Sequence, residues 1–96
     1  MTLKSEILAN PFVERLRNEV KIDTQAFELL CDQLAALARE WSNQPLVDKQ
    51  LMQELYALPT FIKGAADSLR AHKSEMATQL DEMAIIVDGL ILEALG

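Results

Sequence analysis

The stretch TQAFELLCDQLAALAREWS, residues 24–42, has the clearest helical pattern in this 96-residue chain. Large apolar side chains recur in it at alternating spacings of three and four residues: Phe27, Leu30, Leu34, Leu37 and Trp41. This spacing lines one face of an α-helix and forms the kind of seam that packs against other helices. Just before it, Asp23 is a good helix N-cap, and Ile22 can pack against Phe27 as a hydrophobic staple. The stretch therefore predicts a long amphipathic helix in a helical bundle.

The residues before this helix predict two shorter ones. Residues 2–9 read as a helix capped by Thr2, and residues 11–21 as a second helix. Asn10 is a suitable N-cap for the second helix, and Pro11 suits its first turn.

The residues after it contain a turn cluster at 42–45 and then further helical spacing. A third helix is expected to start at Pro45 or at Asp48, and Pro59 is expected to kink or end it. From residue 60 to 95 apolar spacing is helical throughout, which leaves one helix of about 36 residues or two shorter ones. We favour two, over about 60–71 and 74–95, with Ser74 as the N-cap of the second.

The pair Asp88-Gly89 lies between two apolar runs, which is a local signal for a β-hairpin. The runs do not alternate between apolar and polar residues, and a lone hairpin is marginally stable. A helix through Gly89 is therefore favoured, at a cost of about 1 kcal/mol. The sequence as a whole predicts an all-α, up-and-down bundle of four to five helices, with residues 1–22 as an N-terminal helical arm and 23–96 as the bundle core.

Composition narrows the function classes. The chain is 50% hydrophobic, carries a formal net charge of −6 and has one cysteine. This length supports a single domain, the acidity argues against nucleic-acid binding, and one cysteine cannot form an intrachain disulfide. No apolar run is long enough to span a membrane, and no export signal is evident, so a cytoplasmic location is expected.

Groups that could carry chemistry are sparse. Cys31 and His72 are the only cysteine and the only histidine. Cys31 lies within the apolar helix, where a buried and inert thiol is the ordinary outcome, and His72 is expected on an apolar stripe near a turn. We predict that the chain is not an enzyme and uses no cofactor or metal.

The last predicted helix carries a second apolar strip. Ile85 and Leu92 lie one heptad apart, outside the main apolar face, and are flanked by Asp81 and Asp88. No basic residue follows Lys73, so this region is acidic. A helix of this kind either sits centrally in its bundle or meets another chain, which leaves a homodimer or a different, basic protein as partner. The leading interpretation is a regulatory or interaction protein that self-associates through this helix.

A second interpretation comes from residues 58–69, LPTFIKGAADSL. The run Lys63-Gly64-Ala65-Ala66 resembles the signature of histidine phosphotransfer domains, which place a histidine, two residues and then Lys-Gly and small residues on a helix of a four-helix bundle. Here Thr60 occupies the phosphoacceptor position. The resemblance implies a domain that docks a response-regulator receiver through Thr60, Lys63 and Gly64 without carrying phosphate.

Overall fold

The computed structural model of the chain describes residues 2–42 and 48–95. Within them lie five α-helices and no strand: α1 (Leu3–Leu8), α2 (Phe12–Glu19), α3 (Thr24–Trp41), α4 (Lys49–Leu69) and α5 (Ser74–Leu95). The predicted all-α helical bundle is confirmed. The helix through Gly89 is also confirmed, because α5 runs without interruption across Asp88 and Gly89.

Side-chain caps fix where three of these helices begin. Thr2 accepts a hydrogen bond from the backbone N–H of Ser5 at 3.2 Å, which confirms the predicted cap of α1. Asp23 Oδ1 accepts a hydrogen bond from Ala26 N–H at 3.0 Å, and Asp48 Oδ1 accepts one from Leu51 N–H at 2.9 Å. Of the two predicted starts for the third long helix, Asp48 is the observed cap, and Pro45 lies outside the described residues.

Asn10 joins the short helices to α3. Its Oδ1 accepts from Phe12 N–H at 2.9 Å, but Pro11 and not Asn10 is the N-cap of α2, which begins one residue later and ends two residues earlier than predicted. Its Nδ2 donates to the carbonyl of Ala26 at 3.0 Å and to Oε1 of Gln33 at 3.3 Å. The buried amide of Gln33 thereby gains a partner, which a buried polar group requires.

One of the two alternatives expected for Pro59, and the predicted helix start near residue 60, are wrong. The helix does not end at Pro59, and no separate helix begins near residue 60, because α4 continues to Leu69. Leu55 and Ile62 are buried on one stripe on either side of Pro59, and this shared packing holds the chain helical where proline removes a backbone donor. The predicted break between the last two helices is confirmed, and it covers residues 70–73.

Two predictions about the turn between α4 and α5, the N-cap of α5 and the position of His72, are also wrong. Ser74 is the first helical residue rather than the N-cap, since the carbonyl of Lys73 accepts the bond from Ala77 N–H at 3.0 Å. His72 lies in this turn and is exposed, so its expected place on an apolar stripe is wrong. The reason is the position of the break, which takes residue 72 out of both helices.

Helix α5 lies at the centre of the bundle and packs against both α4 and α3. Its buried face repeats every three or four residues: Ala77, Leu80, Met83, Ala84, Val87, Ile91 and Ala94. The predicted seam of α3 is buried at all five positions. The first two helices belong to the same core through Ile7, Phe12 and Leu16, and the rings of Phe12 and Phe27 pack at 5.2 Å between centroids.

Two helical glycines offer a simple gain in stability. A Cβ added at Gly64 or Gly89 would meet nothing within 4 Å. Alanine restricts the unfolded chain and favours a helix, so Gly64→Ala and Gly89→Ala should each raise the free energy of unfolding by about 0.5–1 kcal/mol. Urea unfolding followed by circular dichroism measures this, and a loss of stability in both variants would contradict the open surroundings of these residues.

The capping aspartates predict how stability depends on pH. The hydrogen bond from Ala26 N–H, reinforced by Arg15, holds the pKa of Asp23 below its ordinary value of 3.8. The bond from Leu51 N–H and the Lys4 ammonium, whose Nζ lies 3.0 Å from Oδ2, do the same for Asp48.

A carboxyl group whose pKa is lowered by folding stabilises the fold above its unfolded pKa and loses that contribution as the pH falls through its folded pKa. The thermal midpoint should therefore fall as the pH drops below about 4. The double variant Asp23→Asn with Asp48→Asn, which retains capping side chains, should show a shallower fall. An equal slope in both proteins would show that other carboxyl groups control the acid response.

Candidate functional site

The outer face of α5 carries apolar side chains that the fold does not cover. Ile85 is 72% exposed and Leu92 is 61% exposed, although Ala84 and Val87 beside them are buried. These two residues lie one heptad apart, as predicted, and we call them the outer strip. The two alternatives left open by the sequence therefore do not exclude each other, because α5 is central in the bundle and still presents an apolar strip to solvent.

Acidic residues line both sides of the outer strip. Helical spacing places Asp81 and Asp88 on the side towards α4, and Glu82 and Glu93 on the other side. All are exposed except Asp81, which is half-buried. An apolar strip between carboxylates is suited to a partner that has apolar residues in its centre and positive charge at its edges.

A groove of about 500 Å³ runs between α4 and α5 beside the outer strip. Thr60 and Lys63 line it from α4, and Asp81, Ile85 and Asp88 line it from α5. The structure thus brings together residues that the sequence assigned to two separate hypotheses, a self-association surface and a receiver-docking surface. Among the described residues, Lys63 and Asp88 form no ion pair with each other or with a third residue.

Arg70 closes one end of this groove. Its guanidinium meets Asp81 through two contacts, Nη1–Oδ2 at 3.1 Å and Nη2–Oδ1 at 3.3 Å, and Nη2 also donates to Asp67 Oδ1 at 2.9 Å. These hydrogen bonds raise the pKa of Arg70 above its already high ordinary value, and the bond to Asp81 has the largest effect. The charge of Asp81 is therefore compensated within the chain, which leaves Asp88 as the uncompensated carboxylate on this side of the strip.

Sequence reasoning missed Arg70 as part of the site. The signal available was the pair Asp67 and Arg70, spaced i,i+3 at the end of a helix, which often marks a local ion pair. Its second partner, Asp81, lies on the next helix, and the register of α4 against α5 could not be read from spacing within either helix.

The three residues expected to dock a receiver share the exposed side of α4 but face two different grooves. Lys63 lines the α4–α5 groove, and Gly64 lines a second groove between α2 and α4, whereas Thr60 lines both. Beside Gly64, the guanidinium of Arg17 on α2 lies 5.1 Å from the ring centroid of Phe61 on α4, within the range of a cation–π contact.

The remaining candidate groups are poorly placed for chemistry. Cys31 is half-buried on α3, and desolvation, followed by the charges of Asp32 and Glu28, raises the pKa of its thiol. A raised pKa lowers the thiolate fraction and works against nucleophilic catalysis. Within the described part of the chain, no group of three or more histidine, cysteine or acidic residues could hold a metal ion.

No helix in residues 2–42 and 48–95 is both long and apolar enough to cross a bilayer. Comparison of the sequence with protein-family models and with curated proteins, and of the fold with solved structures, finds no match.

Proposed function

We propose that this chain is a non-enzymatic, cytoplasmic protein-interaction or regulatory protein that binds another polypeptide through the outer strip of α5 and the adjoining α4–α5 groove. The observation that carries the proposal is the exposure of Ile85 and Leu92 on the helix that otherwise forms the centre of the core. Burying an exposed apolar side chain contributes about 1.5–3 kcal/mol, and a bound polypeptide that covers the outer strip would gain this contribution.

Two kinds of chain could occupy this surface. One is a second copy, as the self-association hypothesis expects, and the other is a different protein. Both require that the outer strip contributes to binding and not to the stability of the isolated fold. This shared requirement can be tested before any partner is known.

The test is the double variant Ile85→Asp with Leu92→Asp, compared with Leu29→Asp on α3. Leu29 is 50% exposed and lies outside the proposed surface, so it is a matched control for adding charge at an exposed leucine. We expect both proteins to retain native helicity and to unfold within about 1 kcal/mol of the wild type. A loss of more than about 2 kcal/mol in the double variant alone would assign the outer strip to the fold and contradict the proposal.

Sedimentation of the same proteins tests the self-association form. If a second copy is the partner, the wild type should show a concentration-dependent rise in mass that the double variant lacks and Leu29→Asp retains. A wild type that stays monomeric at every concentration would make the homodimer wrong and leave a different protein as the occupant.

A second candidate function rests on the exposed positions of Thr60, Lys63 and Gly64 on α4. On this proposal the chain docks a response-regulator receiver without accepting phosphate, as its resemblance to histidine phosphotransfer domains implies. Lys63→Ala should then weaken binding to a purified receiver domain from the source organism, whereas Lys49→Ala at the start of α4 should not. Failure of every receiver tested to bind the wild type would remove this candidate.

A further inference from the structure

The charges around the outer strip point to one kind of occupant. Resting on the proposed function, we infer that the surface receives an amphipathic helix with a basic flank, supplied by a different protein and not by a second copy of this chain. The shape of the surface, the sign of its charge and the distribution of that charge across the groove all favour this occupant.

The shape fits a helix. Ile85 and Leu92 are seven residues apart, about 10.5 Å along the helix axis, which matches the heptad spacing of a helix packed alongside. Gly89 lies between them on the same face and presents no side chain, so the backbone of a partner can approach α5 closely there. The groove beside the strip lies between two helices, the usual position for a third helix in a bundle.

The sign of the charge favours a basic partner. All five charged residues of α5 are acidic, and the three exposed ones nearest the strip are Glu82, Asp88 and Glu93. A second copy would bring these carboxylates against their own counterparts, in a chain that already carries a net charge of −6. Like charges placed opposite each other oppose association, whereas lysine or arginine on the partner would favour it and speed its encounter.

The distribution of charge orients the partner. Lys63 lies across the groove from α5, while Arg70 is occupied by Asp67 and Asp81. The basic side of an incoming helix therefore belongs over α5, and the side that meets Lys63 should be neutral or acidic. A helix with lysine on both flanks is expected to bind less well than one with lysine on one flank only.

The probe is a synthetic amphipathic helix with leucine at heptad spacing, lysine along one flank and glutamine along the other. A second peptide has glutamate in place of every lysine. Fluorescence anisotropy should show saturable binding of the lysine peptide to the wild type and binding at least about tenfold weaker for the glutamate peptide. Neutralising one carboxylate on each side of the outer strip, with Asp88→Asn and Glu93→Gln, should weaken binding of the lysine peptide about two- to fivefold.

The double variant Ile85→Asp with Leu92→Asp separates docking from simple charge attraction. It adds two negative charges, so an association driven by net charge alone would become stronger. Docking on the outer strip would instead become weaker, by about tenfold or more, because both apolar anchors are lost. Leu29→Asp, which adds charge elsewhere, should leave docking unchanged or slightly stronger.

The outcomes are distinct. Weaker binding by the double variant together with preference for the lysine peptide supports the inference. Stronger binding by the double variant, or no saturable binding by the wild type, overturns it. Concentration-dependent self-association that Asp88→Asn strengthens would also overturn it, while leaving the proposed function intact with a second copy as the occupant.

Discussion

Replacing Phe12 with alanine should lower the free energy of unfolding by about 3–5 kcal/mol, a large share of the roughly 5–15 kcal/mol that holds a small domain folded. The Phe12 side chain is fully buried, and its ring packs on Phe27 of α3 at 5.2 Å. Removing it takes away both the burial of the ring and the aromatic contact, and leaves a cavity between α2 and α3.

Urea unfolding followed by circular dichroism measures this loss, with Leu8→Ala as the control. Leu8 is a neighbouring apolar residue of α1 that is 42% exposed, so its truncation should cost about 1 kcal/mol or less. If Phe12→Ala proved equally mild, the packing of α1 and α2 into the core would be contradicted, and they would behave as an N-terminal helical arm outside the bundle core.

The second large effect separates the two faces of α5. Leu80 is fully buried where α5 packs between α3 and α4, so Leu80→Ala should cost about 2–5 kcal/mol. Ile85, five residues further along the same helix, is 72% exposed. Ile85→Ala should change the free energy of unfolding by no more than about 0.5 kcal/mol, although it removes a similar apolar side chain.

Chemical denaturation of the two variants side by side measures the difference. Equally large losses would mean that the outer strip is part of the core and is not an interaction surface. Equal and negligible losses would mean that α5 is not the central helix of the bundle.

Local signals predicted much of this fold. The 3–4 spacing of α3, the cap at Asp23 and the break before Ser74 all depend on residues close together in sequence, and each is observed. The position of Ile85 and Leu92 outside the main apolar face was also predictable from a helical wheel, although their exposure was not, because central burial of the strip remained an alternative. Such features follow from the geometry of a single helix.

Features that depend on packing between helices were not predictable. Pro59 is compatible locally with a helix end, and only the buried stripe on both sides of it explains why α4 continues. The pairing of Arg70 with Asp81 and the meeting of Lys63 with Asp88 in one groove depend on the register of α4 against α5. Spacing along one chain segment contains no information about that register.

Site-specific photo-cross-linking in the source cell tests whether the outer strip of α5 binds another polypeptide, with a photoreactive phenylalanine analogue replacing either Ile85 or, as the control, Leu29. We expect a discrete adduct from position 85, none from position 29, and loss of the adduct when Leu92→Asp is added. The mass of the adduct distinguishes a different protein from a second copy. The absence of an adduct from position 85, or equal adducts from both positions, would contradict the assignment of the outer strip of α5 as a binding surface.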